Sequence, residues 1–369
     1  MSLNPTLDDA LDAPVASASR DRPPRQWPAW WHGLFGTKLN AAITFGFLAV
    51  FWFVLIPFVN WALINATWIG TAATCAASDG ACWAFIAEKL HYLVFGPFPI
   101  EAEGRAVAAF AVMIGLLGVS AFPRTWGVVL VLGWVASLAV VIWLLAGGGP
   151  LKPISTEHWG GFIVTLFLTL ACLAGAFPVA LLLVAGRRSE MGGIRFLSIA
   201  FIEVVRGVPL IAILYTSTLL VPLMLPSSMP IDKFARAAFG ITLFSAAYLA
   251  EVLRSGLLAV PRGQFEAAHA LGLTRVQAMR LVVLPQALRV ALPSIINLAI
   301  GILLDTTLIV VIGIFELLNA ARAAANDTDW LGRFDEAYAF TGIVFFVLSL
   351  GLSRWSHWLE MSIARRQSR

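Results

Sequence analysis

The sequence predicts an all-α protein that crosses a membrane about eight times. Three observations carry this reading. The 369 residues are 59% hydrophobic and only 12% charged, with a mean hydropathy of +0.84, which a water-soluble domain of this length does not need. Residues 39–64, 106–123, 125–151, 159–186 and 207–231 contain no charge, each window being near or above the roughly 20 residues that span a hydrocarbon core. The windows are continuously apolar rather than alternating as β-barrel strands do, and a helix satisfies its own backbone groups in lipid.

Taken in order, residues 1–38 form a polar tail that runs into the aromatic stretch "WPAWWHGLFG", predicted to lie at the membrane interface. The span 39–64 serves as the insertion signal, because its apolar run starts too late and is too long for a cleaved leader. An outside loop, 65–104, holds Cys75 and Cys82 on either side of "AASDGA". They form a short disulfide if that side is oxidising and otherwise remain two free thiols. The spans 106–123 and 125–151 complete an accessory region over 39–150. A core of five spans follows over 151–369: 159–186 with Cys172 as packing, 207–231, 237–250 closing on Glu251, 290–304 closing on Asp305, and 337–353 closing on Arg354. Arg206-Gly207-Val208-Pro209 breaks helical regularity. Trp355 and Trp358 read as interfacial anchors.

If the N-terminus is cytoplasmic, sixteen Lys and Arg fall inside and seven outside, with Arg206 and Arg254 within or beside spans. The positive-inside rule therefore places both termini in the cytoplasm of a cell with an inner membrane. This distribution also accounts for the basic balance, pI about 9.2, without nucleic acid. His32, His91, His158, His269 and His357 are scattered with no metal-ligand spacing, and no G-x-x-x-x-G-K-[ST] occurs. Metal chemistry and ATP binding by this chain are thus unsupported.

The connection at about 256–290 is the longest on the inside and is itself helical in pattern. Phe265, Ala268 and Leu271 or Gly272 recur at helical spacing, with Glu266 placed near the helix start where the dipole favours it. Gly272 ends a first short helix, 265–272, and Thr274 caps a second that exposes Arg275 and Arg280. Pro285 marks its stop or a kink into the next span. Such a helix could dock into a protein groove or lie on the membrane surface. The absence of Lys, Arg and Trp from 265–272 favours docking.

Acids at span ends are the candidates for substrate contact, since burying one costs roughly 2.5 to 3.5 kcal/mol on insertion scales. Glu251 and Asp305 could each meet an ammonium group, with hydroxyls from Tyr248, Thr306 and Thr307 nearby. Their structural alternatives are pairs such as Glu251 with Arg254 or Glu203 with Arg206, and polar contacts between helices. An intramembrane enzyme using Glu251 and Asp305, a scaffold, and an ion-driven secondary transporter remain other readings.

Glu266-Ala267-Ala268, then Gly272, Val282 and Leu284-Pro285, resembles the EAA signature of the membrane subunits of binding-protein-dependent ABC importers. The segments "VVRGVPLIAIL", "SAAYLAEVLRSGLLAVPRGQFEAAHALGL", "LPQALRVALPSIIN" and "LLDTTLIVVIGIFELL" are similar to the polar amino-acid branch of HisM or glutamine permease type. The N-terminal extension resembles the larger AapM type. Departures are "RSG" at 254–256 for the usual "RGG", and "LDTT" at 304–307 for "KDTS". The resemblance implies a type I importer core whose coupling helix, 265–272, seats in a separate cytoplasmic ATPase that uses ATP and Mg. It also implies a periplasmic amino-acid binding protein, a homologous second permease chain forming a heterodimer, and no cofactor in this chain. Glu266, Ala267, Ala268, Gly272, Leu284 and Pro285 would form the coupling element.

Overall fold

The computed structural model describes residues 29–224, 226 and 231–367, so most of the predicted tail, residues 1–28, lies outside the described residues. Contacts divide the chain into two compact units with the boundary between Asn65 and Ala66.

The first unit contains α1 (Ala29–Phe35), α2 (Lys38–Val59) and a π-turn at Asn60–Ile64. Thr37 caps α2, its hydroxyl accepting from Asn40 N at 3.1 Å. Asn40 Nδ2 and Thr44 Oγ1 donate to the carbonyls of Gly33 and Leu34, tying the short helix to the long one. No residue of α2 is buried in the chain. A helix apolar on every side takes lipid as its solvent.

The second unit begins with α3 (Ala72–Ala76), α4 (Trp83–Phe95), α5 (Glu103–Ser120), α6 (Val128–Ala146) and α7 (Gly161–Arg187). It continues with α8 (Gly192–Gly207), α9 (Leu210–Tyr215), α10 (Val221–Met224), α11 (Lys233–Ala259), α12 (Arg262–Ala270), α13 (Arg275–Ala278) and α14 (Leu284–Asp305). A two-residue strand, β1 (Phe315–Glu316), then leads into α15 (Leu317–Ala325) and α16 (Phe334–Gln367). Among the described residues seven helices are long and apolar enough to cross a membrane, or eight if one bent pair counts as a span.

That pair corrects the expected span 207–231. Among the described residues the apolar helix runs to Met224, residues 225 and 227–230 of the expected span lying outside them, and the first part of the pair is α8, which bends by 109° into the segment Leu210–Met224. Pro209 has no N–H to continue the helix and drives Val208 into extended backbone, φ −99° and ψ 134°. Sequence windows missed α8 because Arg195, Glu203 and Arg206 interrupt its apolar run.

The boundary expected at residue 150 does not appear in the packing. Ala106 and Met113 of α5 and Val141 and Leu145 of α6 share one buried cluster with Ile163, Val164 and Phe167 of α7. A second cluster joins α7, α8, α11 and the start of α14 through Ala180, Ile202, Leu253 and Ala287. Ile241 and Ile302 meet in the first cluster, and Leu253, Leu257, Val283 and Ala287 in the second, so α11 and α14 run antiparallel. Helices in lipid gain from close van der Waals approach, which small residues permit. Gly256 is such a point: a Cβ there would lie 2.5 Å from the Ala287 carbonyl and 2.9 Å from Ala291 Cβ. Gly256→Ala is expected to destabilise the bundle by about 1–3 kcal/mol through overpacking. Thermal unfolding in detergent checks this, and an unchanged midpoint would contradict the tight α11–α14 crossing.

On the side opposite α12, the segment containing α3 and α4 packs onto α15 and α16. Cys75 and Cys82 are bonded to each other, and both are fully buried with Phe85, Leu317, Ala321 and Trp330. Cys82 N donates to Glu336 Oε1 at 2.9 Å, Lys89 pairs with Asp327 at 2.8 Å, and Trp330 Nε1 donates to Glu88 Oε1 at 3.1 Å. The Lys89 ammonium holds the Asp327 carboxyl below its ordinary range. Glu316 caps α15 with both oxygens, accepting from Leu318 N at 2.7 Å and Asn319 N at 2.8 Å. It is fully buried with no cation paired to it among the described residues, and burial pushes its carboxyl from 4.5 up to about 7. Because the folded value is the higher one, this group's stabilisation is full below about pH 4.5 and is lost as pH rises through about 7. The unfolding midpoint is expected to fall between about pH 5 and pH 8, with a flatter profile in Glu316→Gln. Equal slopes in both proteins would contradict the assignment.

Candidate functional site

The connection 256–290 leaves the bundle and returns to it as three short segments. Pro261 occupies the cap position of α12, with no side-chain cap, and the helix begins at Arg262. This corrects two expectations. The helix is 262–270 rather than 265–272, so it does contain an arginine, and Glu266 stands in its second turn and caps nothing. Pro261 itself is extended, φ −57° and ψ 137°, and α12 starts directly after it, earlier than the apolar spacing indicated.

The end of α12 is a Schellman turn. Leu273 N donates to Ala268 O at 3.1 Å and Gly272 N to His269 O at 2.9 Å, with Gly272 at φ +81°. Thr274 and Gln277 then form a capping box for α13. Pro285 neither stops nor breaks the chain. A π-turn at Met279–Val283 bonds Leu284 N to Met279 O, and the helix runs on to Asp305 with Pro285 in its first turn.

One face of α12 is held by its own chain. Ala268 is 3% exposed, Phe265 packs on the inner cluster, and Gln286 Nε2 donates to Gln264 Oε1 at 3.1 Å. The other face presents Glu266, Ala267 and His269, followed by the exposed Leu271 and Val276. Of the paired alanines, Ala268 therefore packs inward and Ala267 outward. Leu284 and Pro285 are half-buried at the root of α14. The Gln264–Gln286 strut was not legible in the sequence, since two glutamines 22 residues apart carry no pattern.

Glu251 lies among cations. Arg187 Nη1 of α7 donates to its Oε1, Arg254 Nε donates to Oε2 at 2.9 Å, and Arg206 Nη1 of α8 stands 4.0 Å away. Arg187 also reaches Glu203 at 3.8 Å, in place of the expected Arg206 partner. Arg206 stacks over Tyr248 at 5.3 Å, and Tyr248 Oη donates to its carbonyl at 3.4 Å. Arg187 read in the sequence only as a charge at a span end, so its role needed the fold.

Asp305 is elsewhere. Glu251 is five residues from Gly256, which touches Ala287, whereas Asp305 closes the far end of antiparallel α14. At 1.5 Å per residue the two carboxylates are about 20 Å apart along the axes, so they cannot act as one catalytic pair. Thr306 Oγ1 and Thr307 Oγ1 donate to the carbonyls of Leu303 and Leu304. Thr306 is buried, and the Asp305 carboxylate has no ion pair among the described residues.

Residues 176–365, which include the whole connection and its root, match the family described as binding-protein-dependent transport system inner membrane component. The chain belongs to this family. It is 37% identical to the inner membrane amino-acid ABC transporter permease protein YhdY of Escherichia coli strain K12, over 89% of this chain and 90% of that one. It is 33% identical to the glutamate/glutamine/aspartate/asparagine transport system permease protein BztC of Rhodobacter capsulatus, over 90% and 92%. A crystal structure of an amino acid ABC transporter with histidines matches with TM-score 0.50 and 31% identity, over 55% of this chain and 92% of that one. The shorter protein thus matches little more than half of this chain, and the long relatives extend along nearly the whole chain. The permease is a multi-pass inner-membrane transport subunit and not an enzyme, and membership implies a separate ATPase and a binding protein as partners. The ion-driven, scaffold and intramembrane-enzyme readings give way to it.

Proposed function

We propose that this permease is the transmembrane subunit of an ATP-driven importer of L-amino acids delivered by a periplasmic binding protein. It pairs with a homologous second permease chain, both termini face the cytoplasm, and α12 seats in a cleft of the ATPase. The supporting observation is that α12 is braced from behind by Ala268, Phe265 and Gln264 while Glu266, Ala267 and Leu271 stand exposed. A helix fixed on one side and free on the other transmits displacement to the spans through α14.

Asp305 and Thr307 are assigned to the substrate's polar groups, with Asp305 meeting the ammonium. Glu251 and Tyr248 are assigned to the arginine cluster that joins α7, α8 and α11, and Thr306 to the interior, where its side chain is buried. ATP and Mg act in the partner. The decisive experiment places cysteine at Ala267 and tests disulfide capture of the ATPase in membranes during turnover. Capture with loss of ATP-dependent uptake supports the reading, and an Ala267 cysteine that never meets the ATPase refutes it.

A further inference from the structure

We propose that the groove between α14 and α16, at the end nearest α12, binds the headgroup of an acidic phospholipid. Two adjoining cavities of about 310 and 440 Å³ lie there and share Pro293, Ser356 and Glu360 in their walls. Arg289 and Arg354 supply two guanidinium groups, and Ser353 and Asn297 supply neutral polar atoms. Glu360 is the one carboxylate, with His357 Nδ1 at 3.8 Å, so the walls remain cationic. Pro293 cannot donate to the Arg289 carbonyl, which leaves that acceptor without its helical partner on the face Pro293 lines.

The depth of the groove is set independently. Trp355 Nε1 donates to the carbonyl of Ala121, in the turn between α5 and α6, at 3.2 Å. Trp358 is exposed on the next turn. Tryptophans of this kind sit at the headgroup level, and basic pockets between helices at that level suit anionic headgroups. The smaller cavity is walled by Val290, Leu292 and Leu359, which suits the glycerol end of an acyl chain. It also reaches Pro261, the first residue before α12, so an occupied groove braces α12 against α16. This inference is independent of the coupling assignment.

The test uses the purified transporter complex titrated with phosphatidylglycerol or phosphatidylcholine and read by native mass spectrometry. Phosphatidylglycerol is expected to bind the wild type the more tightly. Arg289→Gln with Arg354→Gln is expected to weaken it about thirtyfold, from about fivefold for each surface guanidinium. Arg188→Gln with Arg195→Gln, equally basic but outside the groove, is expected to bind as the wild type does. Size-exclusion elution with intact partners controls for folding. Equal retention of both lipids, or equal losses in the two double variants, would overturn the proposal. So would a disulfide from Ser356→Cys to the second permease chain, since a protein would then cover the groove.

Discussion

Gly272→Val is expected to lower ATP-driven uptake by about tenfold or more while membrane insertion and ATPase assembly stay normal. Holding a non-glycine residue at φ +81° costs about 1–2 kcal/mol, more for a β-branched side chain. No atom lies within 4 Å of the position a Cβ would take, so the whole cost is in the backbone. The Schellman turn then opens, and α12 loses the geometry that sets its exposed face against the ATPase. Asparagine tolerates the left-handed region, so Gly272→Asn is expected to keep most of the uptake. Measuring uptake and ATP hydrolysis together in proteoliposomes decides the matter. Equal activity in the valine and asparagine variants would remove the turn from the coupling path.

Glu251→Ala is expected to have the largest effect on stability. It strips the carboxylate from Arg187 and Arg254 and from the nearby Arg206, leaving cations on three helices to repel one another in a half-buried setting. Removing one partner of a fully buried pair costs about 3–5 kcal/mol, and the partial exposure of these arginines reduces this to about 2–3 kcal/mol. A lowered unfolding midpoint in detergent checks the first half of the prediction. The second half is that Glu251→Gln, if its complex assembles, keeps the apparent affinity for the amino acid. A raised KM with unchanged stability would instead return Glu251 to the substrate path.

Much of the bundle was legible because lipid imposes a one-dimensional rule on the chain. A hydrocarbon slab requires long apolar helices, and windows such as 159–186 meet α7 closely. The rule fails where charge and apolar face mix on one helix. Residues of α8 alternate arginine and glutamate with large apolar side chains, so a charge-free window could not find it, and the bend at Val208-Pro209 appeared only as a break. The same limit explains α12. Its exit at Gly272 and the cap at Thr274 are local backbone chemistry and were readable, whereas its start at Arg262 depends on where α11 ends.

The sequence by itself determined that this chain is a helical membrane protein, where its uncharged spans fall, and that an Ala-rich rod interrupts them, because hydropathy, turn chemistry and caps act over a few residues. Only the tertiary structure decided which of those residues are free to act. Ala267 and Ala268 are neighbours in the chain, yet one faces out and one is packed inside. Glu251 and Asp305 have the same functional group, yet one is held by arginines from three helices and the other by none among the described residues. Burial and pairing are set by contacts between residues far apart in sequence, and no local pattern encodes them.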